Sequence, residues 1–182
     1  MGREILLSHF KDVLHPCLVK HEFRTEAERL RKIALNVEEM LFEGTTFLRG
    51  GLDDNGKSKN FSHPVLADFC AQFFYSNKDT SLGLLFPTEF QVLPWSCLAV
   101  ACACLVNCVH EYKTGMMVPI SFKGKVFGPV QVAMLDLMDE LDNHVYHGPQ
   151  LEWLLQDIGW AGRVQSGNNS ENVDLGFCNV ID

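Results

Sequence analysis

From Phe90 to Val109 the chain runs twenty residues without a charge, bounded by Glu89 and His110. A helix apolar on nearly every side has to be surrounded by other protein or by lipid. This stretch therefore restricts the fold more than any other. Its length would cross a bilayer, but Gln91, Pro94, Ser96 and Asn107 interrupt it and small Ala and Cys residues dominate it. The flanks carry no cluster of Lys and Arg to set an orientation. Pro94 most naturally opens the helix. We read a buried central helix over 94–114 and do not expect a membrane partner.

At 100° per residue, Leu98, Leu105 and Val109 share one flank, and Cys97, Ala101, Cys104 and Cys108 form a neighbouring stripe. Ser96, Ala103, Asn107 and His110 make a thin, mildly polar opposite side. Small residues in a stripe let a second helix approach closely, so these cysteines read first as small hydrophobes. Gly115 is placed to close the last turn in a left-handed conformation.

A length of 182 residues suits one domain with a proper core. A hydrophobic content of 47% argues against wholesale disorder. The net charge of −8 argues against nucleic acid as a partner. Lys20, Arg24, Arg29, Arg31 and Lys32 form a local basic cluster, but Glu22, Glu26 and Glu28 interleave it as on a solvated helix face. The first ten residues match neither a secretory signal nor a myristoylation site. Seven cysteines, four of them on one helix, cannot form an ordinary disulfide framework. Free thiols in a reducing, intracellular compartment (cytoplasm or nucleus) are expected, and the sequons at Asn60 and Asn168 then read as chance matches.

The expected architecture is an all-α, or mainly α, single-domain bundle of five to seven helices packed around 94–114. It spans residues 1–163, with 164–182 a loop or tail. Residues 3–14 read as a short amphipathic helix through Leu6, Leu7, Phe10, Val13 and Leu14, stopped by His15-Pro16. Thr25 and Glu28 match a capping box. Ala27, Leu30, Ala34, Val37 and Leu41 follow as an apolar stripe, with Gly44 as the stop. The polar segment 49–59 is a loop; its spacing fails the calcium-loop pattern, because Gly51 stands where the first Asp ligand is needed. Ser62 and Pro64 open a helix that buries Val65, Leu66, Phe69, Cys70, Phe73 and Phe74. Pro87-Thr-Glu89 marks a turn or short helix, and Met116 to Phe122 is the one strand candidate. Gly128-Pro129 opens a helix to about Asn143 that buries Val130, Met134, Leu137, Met138 and Leu141. Gly148-Pro149 opens the last, with Leu151, Leu154, Leu155 and Ile158 inward and Trp153 nearby.

From Phe86 to about Trp160, the positions Phe86, Phe90, Pro94, Ala99, Glu111-Tyr112, Gly115, Phe122 and Phe127 form a spaced pattern. In it the chain resembles an uncharacterised helical domain family expanded in mushroom-forming fungi. The resemblance implies a helical fold, a fungal intracellular setting and a unit often found within longer polypeptides. It carries over no catalytic residue.

Two clusters have the residue types for chemistry. Cys104 and Cys108, with Cys97 and Cys70, could ligate a metal, but the close Cys-x-x-Cys pairs typical of structural zinc are absent. Asp136, Glu140 and His147 fall within about 60° if one helix continues through His147, with Asn143 among them and His144 at the edge. Two carboxylates and an imidazole could bind a divalent cation or transfer protons, although carboxylates opposite an apolar stripe are also what a solvated face looks like. There is no nucleophile elbow and no phosphate loop, and Lys123 and Lys125 read as a solvated loop. No cofactor is indicated.

The leading expectation is a non-enzymatic interaction or scaffold domain with a protein partner, self-association included. It predicts exposed apolar residues in 82–95 or at Met116-Met117. The alternatives are a helical pocket for a small apolar ligand and a metal-dependent enzyme built on Asp136, Glu140 and His147.

Overall fold

The computed structural model describes residues 1–10, 23–42, 46–76 and 80–167. Seven α-helices stand among them: α1 (Gly2–His9), α2 (Glu26–Leu41), α3 (Pro64–Phe74), α4 (Leu82–Leu85), α5 (Trp95–His110), α6 (Gly124–Asp142) and α7 (His147–Gln165), with a 3-10 turn at Thr46–Leu48. The described residues form no strand, so the fold is mainly α, as the apolar periodicity implied.

The centre is α5. Leu98, Ala99, Ala101, Cys102, Ala103, Leu105, Val106, Cys108 and Val109 are all buried. Of the side expected to be thin and polar, Ala103 and Asn107 are buried, on a helix that α6 packs along, while Ser96 is exposed and His110 half-buried. Helices α1, α2 and α3 cover the other flanks. The helix is shorter than the 94–114 expected: it ends at His110, with Glu111 as C-cap. Gly115 does have a left-handed backbone, at φ 84, but it closes the turn that follows rather than the helix itself. That glycine is required, since a Cβ there would lie 2.1 Å from the Leu30 carbonyl oxygen of α2.

Elsewhere the local rules hold with shifts. Half of the capping box forms at α2: the Thr25 hydroxyl accepts from the Glu28 amide at 3.1 Å, but the Glu28 carboxylate accepts from the Arg24 amide, one residue before the cap, at 3.2 Å. Its buried line is Arg29, Ile33 and Val37, so Ala27 of the expected stripe faces solvent. The Gly44 stop and the His15-Pro16 stop lie outside the described residues. Helix α1 ends at His9 and buries Ile5.

Helix α3 is capped by His63 rather than Ser62, its Nδ1 accepting from the Val65 amide at 3.2 Å with Pro64 in the first turn. Phe73 on that helix is exposed. The 87–90 turn is present, after the single turn of α4. Helix α6 begins at Gly124, upstream of Gly128-Pro129, and carries Pro129 inside it. A proline five residues beyond the first position forfeits one backbone bond, and α6 absorbs that loss through its packing on α5. Helix α7 begins at His147 and runs two residues past the expected boundary at 163; Trp153 lies on its exposed side.

Candidate functional site

The residues that follow α5 depart most from ordinary packing. Met116 to Phe122 forms no regular secondary structure and pairs with no strand, which corrects the strand expectation: a ladder needs a partner, and none of the described residues supplies one. Every residue from Met116 to Val126 is exposed. Met116 is 55% exposed, Val118 50% and Phe122 49%, although all three are apolar. The apolar surface continues onto the outward side of α6 at Val126, Pro129, Val132 and Ala133. From Tyr112 to Leu135 the chain has no Asp or Glu and carries Lys113, Lys123 and Lys125, in a protein of net charge −8.

This surface is held in place by one buried carboxylate. The Glu111 side chain is 0% exposed. Its Oε1 accepts from Arg3 Nη2 of α1 at 2.6 Å and from the Ile120 amide at 3.0 Å, while Oε2 accepts from Arg3 Nε. The Glu111 backbone carbonyl accepts from the Val118 amide at 2.7 Å. Asn107, one turn earlier on α5, donates from Nδ2 to the Ile120 carbonyl at 3.4 Å. A buried carboxylate is tolerated when a cation and several donors satisfy it, and here they do. The carboxylate in turn raises the pKa of Arg3 above its usual value. In the sequence Glu111 stood out only as part of the spaced pattern that carries the family resemblance; nothing local marked it as a buried carboxylate.

A second exposed apolar group lies where the sequence expected one, in the 82–95 segment. Leu85 and Phe86 are about half exposed there, at 54% and 49%. Trp160 of α7, next to Gly159, is also exposed, and a Cβ at Gly159 would meet the Gln91 carbonyl at 2.6 Å.

The other candidates come apart. Asp136 and Glu140 are on the exposed side of α6, but α6 ends at Asp142 and His147 opens α7, so the helix that would have aligned all three is broken. Among the described residues no group of three or more His, Cys, Asp or Glu side chains is placed to hold a metal ion. His147 instead lies against His144, with ring centroids 4.7 Å apart and the rings tilted at 45°, and burial together with His144 and Lys57 holds it below the usual imidazole range. It borders a small cleft of about 70 Å³ between the 49–60 hairpin and the start of α7, shared with Asp53, Ser58 and Gln150.

The start of α7 offers little to an anion. The His147 amide is taken by His144 Nδ1, the Gly148 amide by the His144 carbonyl, and Pro149 has none. The five described thiols sit on α3 and α5 and are buried or half-buried. Cys70, Cys97, Cys102, Cys104 and Cys108 are free, and burial raises the pKa of each, Cys108 to about 12. A thiol kept protonated is neither a nucleophile nor a ready metal ligand.

An all-α fold with a carboxylate-pinned apolar surface defines a class only broadly; comparison with known families narrows it. Residues 4–141 match the family described as Domain of unknown function (DUF6532), and the chain belongs to that family. The match runs from Glu4 in α1 through almost all of α6, and so includes Glu111 and the 116–126 surface; Arg3 and α7 lie outside it. No curated protein and no solved structure matches the chain.

Proposed function

We propose that the domain is a non-enzymatic interaction module whose contact face is the 116–126 segment with the outward side of early α6. The observation that carries this reading is an exposed apolar segment, flanked by lysines and without Asp or Glu of its own, that is hydrogen-bonded to a buried carboxylate rather than left slack. Apolar side chains kept in water at a fixed geometry mark an interaction site. The sign of the flanks specifies the occupant: a protein partner presenting apolar anchors fringed by carboxylates, since opposite charges at the rim steer the encounter and fix the register. A second copy of this acidic chain is one such partner.

The pocket reading has less support, because a cleft of about 70 Å³ is well below the several hundred Å³ that enclose a typical ligand. The setting we propose is intracellular, reducing and fungal. The free thiols support the reducing compartment, and no described helix is long and apolar enough to cross a membrane.

The test is affinity capture from the native cell with the wild-type chain and with Phe122→Ser and Lys123→Glu/Lys125→Glu variants of unchanged thermal stability. The reading expects a protein retained by the wild type, released by moderate salt, and lost from both variants. Retention that is indifferent to these substitutions contradicts it.

A further inference from the structure

The contact face is tied to the N-terminal helix through a single oxygen. Glu111 Oε1 receives both Arg3 Nη2, at 2.6 Å, and the Ile120 amide, at 3.0 Å, so α1 and the 116–122 segment converge on one buried atom. Glu111 is the C-cap of α5, where the helix dipole presents its negative end. A buried carboxylate at that position is disfavoured by burial and by the dipole together, and Arg3 is the cation that offsets both. Without it, the carboxylate would be buried with no cation beside it, and the acceptor on which the Ile120 amide depends would be disturbed.

Helix α1 has eight residues, fewer than an isolated helix needs to persist in water. It is helical because it is seated. Ile5 is buried, and Gly2 lies so close to α3 and α5 that a Cβ would meet Phe69 Cε2 at 3.0 Å and Cys108 Sγ at 3.4 Å. Its seat is nonetheless reachable from outside, because the Arg3 side chain remains 45% exposed.

We propose that α1 is a strap that sets the shape of the contact face: seated, it holds Val118 and Ile120 in register through Glu111, and lifted, it releases them. As regulation of the face, this rests on the interaction reading above; as a mechanical coupling, it is a property of the free chain. A partner that engages Arg3, or a segment that displaces α1, would thereby change the surface offered at 116–122 without touching it.

The coupling is tested by amide hydrogen exchange on the isolated full chain, comparing wild type with Arg3→Ala and Arg3→Lys. The Val118 and Ile120 amides report on the face, Ile5 on α1, and Leu105 and Ile158 on global opening. The strap predicts that Arg3→Ala speeds exchange at Val118 and Ile120 at least tenfold, with Leu105 and Ile158 unchanged. Arg3→Lys, which keeps the charge but not the two-pronged contact, should show a smaller acceleration at the same two amides and decides the matter if the alanine variant does not fold. Unchanged rates at Val118 and Ile120 overturn the strap, as does acceleration no greater than that at Leu105 and Ile158. No partner is present in this measurement, so its failure leaves the interaction reading standing, and loss of capture in the earlier experiment leaves the strap standing.

Discussion

Helix α5 and the segment just after it have similar compositions and opposite fates. Both are apolar and poor in acids; α5 is buried over most of its surface, while Met116 to Phe122 is left in water. The difference lies in how each satisfies its backbone. A helix closes its own hydrogen bonds and can be buried wherever side chains fit around it. An irregular segment cannot, and this one leans on the Glu111 carboxylate and carbonyl, the Asn107 amide and the Thr114 hydroxyl. Hydrophobicity therefore identified both regions, but only self-sufficiency in hydrogen bonding decided which one became core.

The largest effect that would break this contrast is truncation inside the sheath. Leu105→Ala should destabilise the protein by about 2–5 kcal/mol through lost burial and a residual cavity. Phe122→Ala should stay within about 0.5 kcal/mol, as exposed substitutions usually do. Chemical denaturation of the two variants side by side checks both, and comparable losses would erase the distinction.

Next is the hinge between the regions. Gly115→Ala places a methyl 2.1 Å from the Leu30 carbonyl oxygen at a φ of 84, and the strain is on the order of 2 kcal/mol. A lowered denaturation midpoint with an unchanged slope is expected; a neutral outcome would mean the turn is not fixed against α2.

A smaller effect concerns pH. His63 caps α3 with an unprotonated Nδ1, and burial, then His9, holds its pKa below the usual imidazole value. The folded state thus takes up its proton at lower pH than the unfolded chain. The stabilisation is full above about pH 6.5 and declines as pH falls through the folded pKa. His63→Asn, which keeps a capping oxygen, should flatten this acid-side loss. His63→Ala should lower stability at neutral pH by about 1 kcal/mol. Thermal melts between pH 5 and 8 give both, and identical acid-side slopes in wild type and His63→Asn would remove His63 from the account.

Much of the sheathed region was legible in the sequence because helices announce themselves locally. The uncharged run marked α5, and Thr25 with Glu28 marked the start of α2. Family membership was legible as a resemblance over 86–160, whereas the family match covers 4–141. What was not legible depended on distant partners. The capping role of His63 rather than Ser62 needs the backbone geometry before Pro64, and the early start of α6 needs α5 to hold a helix with a proline inside it. Asn107 and Ala103 looked like a polar margin until α6 covered them. The contact face was half legible: Met116-Met117 was expected to be exposed, but the carboxylate that positions it is separated from Arg3 by 108 residues. No local pattern pairs those two. For Asp136, Glu140 and His147 the sequence assumed one continuous helical face, and a turn intervenes between Asp142 and His147.

Methionine oxidation, read residue by residue after brief exposure to dilute peroxide, compares the two environments on one side-chain chemistry. Met116 and Met117 are 55% and 46% exposed, whereas Met134 and Met138 are 6% and 0%. The account predicts that the first pair is consumed well before the second while the fold stays intact. Protection of Met116 and Met117 equal to that of Met138 would show that the segment after α5 is covered, and would contradict the claim that this chain keeps an apolar face in water.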